Sequence, residues 1–193
     1  MNLKKLNYKG ISYIEVILVL TIMILMTGFA SVTMAIVNRN NVTKGADRTE
    51  SGFSHAKTLS LSKGMDKGAI TFLSEGNKVY YYYGDNINDK YLVCNSPCYV
   101  TFYINDDDPT DTQNLNEYDI KGSTQVRYMI NQSTGALYKA QVSLNGGGSF
   151  FDVVEDMDHF DSSKINKIVV DNPNRKAVTL NILVHVGKVN VSY

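Results

Sequence analysis

The side chains with catalytic or ligating potential in this 193-residue chain are few and scattered. Cys94 and Cys98 are the only cysteines, in "CNSPC", and His55, His159 and His185 are the only histidines. Two thiolates fall short of a tetrahedral zinc site, and the histidines have no ligand spacing. "GFSHA", Gly52 to Ala56, approaches a nucleophile elbow, but that motif needs a strand and a sharp turn around the serine. Ser54 lies instead in a helical pattern with no acid and histidine placed to serve it. "NGGGS", Asn145 to Ser149, lacks the Gly-Lys-Ser/Thr of a phosphate loop, and "EDMDHFD", Glu155 to Asp161, has no second histidine at metal spacing. One acidic run has calcium-loop spacing. Counted from Asp106, the residues Asp108, Thr110, Thr112, Asn114 and Glu117 take positions three, five, seven, nine and twelve. Asp111 stands at position six, where such loops use glycine, so calcium held by Asp106, Asp108 and Glu117 and a solvated acidic loop both stay open. No other cofactor is implied, and with no catalytic constellation the expectation is a protein that is not an enzyme.

The remaining singular residue is Glu15, a carboxylate at the head of an apolar run. From Val16 to Val37 no charged residue occurs in 22 positions. As a helix that segment is about 33 Å long, enough to cross a bilayer core. An ionisable group at the edge of such a span is costly and marks function by default. Alone in a membrane it is expected to be poorly satisfied, unless it snorkels to the interface. Lys4, Lys5 and Lys9 precede the run, a positive head that directs the rest of the chain outward. An ordinary secretory signal, with Thr33-Met34-Ala35 as its small-residue end, is the competing reading.

Beyond Val37 the chain turns polar, but Val42, Ala46, Thr49, Phe53, Ala56 and Leu59 or Ser60 recur at steps of three and four. They define one helical face. Proline is absent from residues 1 to 96, so one helix from about residue 11 to about 62 is expected, ending in "SKGMDKG". Its outer half should lay this stripe across a sheet. Gly28, Gly45 and Gly52 each weaken it by about 1 kcal/mol relative to alanine and would allow local unwinding.

From Ala69 the pattern changes to short β-rich runs separated by Gly, Asn and Asp: "AITFL", "KVYYYYG", "YLVC", "CYVTFYI", "QVRYMI", "ALYKAQV", "KINKIVV" and "KAVTLNILVHVGKVNVSY". The fold class is therefore α+β: a long N-terminal helix, half transmembrane and half amphipathic, packed on an antiparallel β-sheet domain. In Tyr80 to Tyr83 alternation puts two rings on each face, which reads as sheet packing. The 19 basic and 19 acidic residues cancel, which gives nucleic-acid binding no support from bulk charge. A local basic patch at Lys164, Lys167, Arg175 and Lys176 is the exception.

"KGISYIEV", Lys9 to Val16, resembles the leader junction of type IV prepilins: a basic leader, a glycine, an apolar residue, a glutamate five residues later and a long apolar run. The C-terminal "strand, Gly-basic-Val" pattern around Gly187-Lys188 is similar to minor pseudopilins of the GspH and FimT type. The resemblance implies 1–10 as leader, 11–38 as transmembrane helix, 39–62 as stalk helix and 63–193 as β-rich pilin domain. It implies cleavage between Gly10 and Ile11 by a prepilin peptidase, N-methylation of Ile11, and an assembly role for Glu15 opposite a neighbouring subunit's amine. At about 4 Å and an effective dielectric near 20 such a pair contributes about 4 kcal/mol. The implied partners are other pilin subunits, the peptidase, an inner-membrane assembly platform and, before assembly, lipid. The implied location is the cytoplasmic membrane with the C-terminal domain outside, then a pilus or pseudopilus at the cell surface. A tip or surface pilin that binds a ligand, a host surface or DNA is the alternative within the same family. An exported domain sits in an oxidising compartment, which favours a disulfide between Cys94 and Cys98 over two free thiols.

Overall fold

The computed structural model describes residues 12–105, 115–144, 149–154, 167–172 and 175–192. The chain divides into two units, Met1–Val37 and Asn38–Tyr193. One helix, α1, runs Tyr13–Lys63. With no proline to interrupt it, it ends only where Gly64 takes φ +100, a conformation open to glycine. A single-turn helix, α2 (Met65–Gly68), comes next. Gly68 lies so close to Ser60 that a methyl group there would fall 2.5 Å from its Cα.

In the second unit the buried residues of α1 are Asn38, Val42, Gly45, Ala46, Thr49, Gly52, Phe53, Ala56 and Ser60. This is the face its three-and-four spacing predicts, with Ser60 as its last member. Gly45 and Gly52 do not unwind the helix. They seat it closely on the sheets: a methyl at Gly45 would meet Cys94 Cβ and Val170 Cγ1 at 3.2 Å, and one at Gly52 would meet Tyr81 Cζ at 3.1 Å.

The architecture is α+β with two antiparallel sheets rather than one. β1 (Ile70–Glu75), β2 (Lys78–Tyr83), β3 (Tyr91–Asn95), β6 (Gln125–Ile130), β7 (Leu137–Ser143) and β8 (Phe151–Val154) form the first, in the order β3-β2-β1-β6-β7-β8. β4 (Tyr99–Asn105), β5 (Leu115–Asp119), β9 (Lys167–Asn172), β10 (Arg175–Leu183) and β11 (Lys188–Ser192) form the second, in the order β11-β10-β9-β4-β5. The chain crosses between them at Ser96-Pro97-Cys98. Gly45 touches both, through Cys94 of β3 and Val170 of β9, so α1 packs on the pair. β5 and β8 are strands the sequence pattern does not predict. β5 closes the polar acidic run, and its strand character comes from pairing with β4, Thr101 opposite Asp119 and Tyr103 opposite Glu117.

The three layers meet in an aromatic cluster. Phe53 of α1 lies 5.8 Å from Phe72 of β1 and 5.4 Å from Tyr128 of β6, between ring centroids. Phe72 in turn meets Phe102 of the second sheet at 4.9 Å. All four are fully buried, and burying one such side chain contributes about 1.5–3 kcal/mol. The Tyr128 hydroxyl is buried with no hydrogen-bond partner among the described residues, and burial alone pushes its pKa far up. Tyr128→Phe keeps the ring and removes the stranded hydroxyl. It should raise the urea midpoint, a gain of about 1 kcal/mol, measurable by denaturation of the intact chain in detergent.

Candidate functional site

Ser12 precedes the first residue of α1, and Glu15 reaches back to it. The Ser12 backbone N–H donates to Glu15 Oε2 at 2.9 Å, and Ser12 Oγ accepts from the Ile14 N–H at 3.4 Å. The bond from the Ser12 N–H to Glu15 is the glutamate half of an S-x-x-E capping box, which satisfies a donor a helix start leaves open, while the Glu15 N–H goes to the Ser12 carbonyl at 2.9 Å. Glu15 thus takes one hydrogen bond from its own helix start. Gly10 and Ile11, the predicted cleavage and methylation residues, lie outside the described residues.

The span beyond Glu15 is apolar on every side, with Leu18, Met23, Met26, Phe29, Val32 and Ile36 all exposed. It is long and apolar enough to cross a membrane. Its hydroxyls are turned inward to the backbone: Thr21 donates to Ile17 O at 2.8 Å, Ser31 to Thr27 O at 2.8 Å, Thr33 to Phe29 O at 2.9 Å, and Thr27 to Met23 O. No donor hydroxyl in this set is left for solvent, as a lipid environment requires.

In the second unit Cys94 and Cys98 form a disulfide, Cα to Cα 6.1 Å, with both residues buried. It joins the last part of β3 to the start of the second sheet. Beside it the β2–β3 register shifts between Val79 and Tyr80, whose partners are Cys94 and Leu92, leaving Val93 as the extra residue of a bulge. Arg48 of α1 donates to the Val93 carbonyl at 3.1 Å. At the other end, Lys57 Nζ donates to Val186 O at 2.6 Å while its stem crosses Gly135. Gly187, at φ +57, has no room for a side chain against the Gly135 carbonyl. Glu50, Ser54, Lys57 and residues 186–189 line a cleft there. Ser54 is exposed on the helix, with no strand or elbow around it.

Tyr81 and Tyr83 face α1, as Tyr80 and Tyr82 face the other side of the sheet. Tyr83 Oη donates to the Gly52 carbonyl at 3.2 Å, and the Tyr81 ring stacks on Tyr91 at 5.3 Å. Burial, the neighbouring tyrosines and their mutual hydrogen bond raise the Tyr83 pKa strongly. These rings are packing elements. His55 meets the Tyr83 ring edge-on at 4.9 Å. The "EDMDHFD" segment, His159 included, lies outside the described residues.

Of the calcium candidates, Asp106 and Asp108 lie outside the described residues and Glu117 is exposed on β5. Among the described residues no three His, Cys, Asp or Glu side chains converge as a metal site. Of the basic candidates, Lys164 lies outside the described residues, and Lys167 sits over the Tyr103 ring at 4.6 Å. The outer face of the second sheet carries a carboxylate pair. Burial raises the Asp119 pKa, but hydrogen bonds from Lys121 and from Thr101 Oγ1, the latter 2.7 Å, outweigh it and the net shift is down. Asp171 shifts up through burial first and the charge of Asp119 second.

Comparison with protein-family models, curated proteins and solved structures finds no match to this chain. The side chains whose bonds sequence reasoning missed are Ser12, Arg48 and Lys57. Ser12-x-x-Glu15 is a legible capping signature; Arg48 and Lys57 carry no signal that separates them from solvated helix charges.

Replacing both Cys94 and Cys98 by alanine should cost about 2 kcal/mol by the loop-closure relation for a loop this short, read as a lowered urea midpoint without reductant. Asp171→Asn should stabilise at pH 7, because the folded state holds that carboxyl against its charged form. The gain is full above the raised folded pKa and fades as pH falls towards the unfolded value of about 3.9, so melting curves of mutant and parent should converge in acid.

Proposed function

We propose that this chain is a type IV pilin-like subunit, a minor pilin or pseudopilin, whose role is structural: it is cut after Gly10, held in the cytoplasmic membrane by its first helix, and assembled into a pilus or a secretion-type filament. The observation that carries the reading is the conjunction in α1 of an apolar, fully exposed span headed by Glu15 and a second half built by small residues into a β domain.

The basic residues before Gly10 supply orientation, placing the β domain outside the cytoplasm, where the Cys94–Cys98 disulfide is chemically at home. The partners on this reading are a prepilin peptidase, an assembly platform, lipid before assembly, and other subunits. The exposed apolar span is the surface that neighbouring helices would cover in a filament, with lipid contacts exchanged for helix contacts.

Mass spectrometry of the membrane-derived protein tests the first step. The expected N-terminus is Ile11 carrying one methyl group; a start near Ala30 or Ile36 would establish an ordinary secreted protein. Glu15→Leu tests the second. Membrane level and cleavage should match the parent, while the amount recovered in sheared filaments should fall at least about tenfold, the effect of about 1.4 kcal/mol. Equal recovery of mutant and parent would remove the assembly role of this residue.

A further inference from the structure

Beyond their packing, Tyr81 of β2 and Tyr91 of β3 hold directly opposite positions on neighbouring antiparallel strands, where side chains stand closest. Their rings stack with centroids 5.3 Å apart and planes 15° from parallel. The two ends of the stack differ in access: Tyr91 is 40% exposed and Tyr81 only 7%, so an outside reagent reaches the pair through Tyr91. The Tyr91 phenol donates to Asp89 Oδ2 at 3.5 Å, which puts a carboxylate beside the proton that one-electron oxidation of a phenol releases. Burial raises the Tyr81 pKa and keeps that ring a neutral phenol. Among the described residues Tyr83 is the competing ring, 5.5 Å from Tyr91 but tilted against it by 56°.

We propose that Tyr91 and Tyr81 are a site of oxidative cross-linking, at which a peroxide-driven one-electron oxidant joins β3 to β2 through a dityrosine bond. The oxidant takes one electron from the exposed Tyr91 ring, and the phenol proton passes by way of Asp89, itself exposed, to solvent. The phenoxyl radical then forms a carbon–carbon bond from a position ortho to its oxygen to the matching ring carbon of Tyr81. A second electron leaves the adduct together with the proton on that Tyr81 carbon, and the proton on the coupled Tyr91 carbon moves to the Tyr91 oxygen, so both rings end as phenols. Two electrons and two protons leave in all, and they reduce one hydrogen peroxide to two waters. The bond falls where β3 is held least. Its far end is fixed by the Cys94–Cys98 disulfide, whereas ahead of the bulge only Tyr91 and Leu92 pair with β2. The site lies wholly in the β domain and does not depend on how the chain assembles.

The test treats the intact chain, dilute in detergent micelles, with hydrogen peroxide and a haem peroxidase, and reads the product by dityrosine fluorescence, denaturing gel and peptide mapping. The parent should fluoresce, stay monomeric on the gel, and yield a linked peptide pair joined through residues 81 and 91, lighter than its two parts by two hydrogen atoms. Tyr91→Phe keeps the ring and the stack but has no phenol to oxidise, so that pair should disappear. Tyr83→Phe should retain it, because the competing ring takes no part. Absence of the linked pair in the parent, links formed only between chains, Tyr91 joined to Tyr83 instead, or loss of the pair in Tyr83→Phe would each overturn the proposal.

Discussion

The close approach of α1 to two sheets at once is the constraint on which the β domain depends. Gly45 touches Cys94 and Val170, which belong to different sheets, and Gly52 lies against the Tyr81 ring and Ile70. A methyl group at either position would meet those side chains at 3.1–3.2 Å and press helix and sheets apart by a few tenths of an ångström, and larger side chains by more. The aromatic cluster beneath depends on that depth, since Phe53 reaches Phe72 and Tyr128 across it. The two glycines cost the helix about 1 kcal/mol each in propensity. Seating one aromatic side chain is worth more than that, so the balance favours small residues on the buried stripe.

The second consequence concerns the crossing between sheets. β3 is an edge strand of five residues, held on one side by β2 alone. A strand so placed is the weakest member of a sheet. Three features secure it: the disulfide to Cys98, the Val93 bulge whose freed carbonyl takes the Arg48 guanidinium, and the seating of Gly45 on Cys94. Each ties β3 to something other than its neighbour in the sheet. Lys57 performs the matching task at the far end, where it spans the β6–β7 turn at Gly135 and the turn before β11. The helix thus touches both sheets along its buried face and is pinned to the chain at both flanks.

How much of this can be read in the sequence depends on which interactions are local. The stripe of α1 is legible because helical spacing is a short-range property, and most strands are legible from alternation bounded by turn residues. The division into two sheets is not, because it rests on pairings such as Ile70 with Tyr128, far apart in the chain and invisible to any window. β5 is hidden because its residues are polar and its strand state is imposed by β4. Propensity alone makes Gly45 and Gly52 weak points, when the packing surface opposite them decides their role. Glu15 stands out as an acid at the head of a long apolar span, yet Ser12 three residues earlier supplies it a partner that hydropathy patterning does not register.

The capping box alters the balance of forces that an acid in a membrane imposes. A charge moved out of water costs several kcal/mol even after relaxation, whereas a hydrogen bond to a charged acceptor returns about 1.5–3 kcal/mol and a helix N-terminus adds about 0.3–1 kcal/mol. These local terms reduce the cost without cancelling it. A residue paired fully within its own chain would have nothing left to gain from a neighbour, and an unpaired one would avoid the membrane edge by extending outward. On the proposed function, a cation from a second copy, at about 4 kcal/mol for a close pair at an effective dielectric near 20, is of the size needed to offset what the local terms leave. The drive to assemble then resides in that remainder and not in the acid alone.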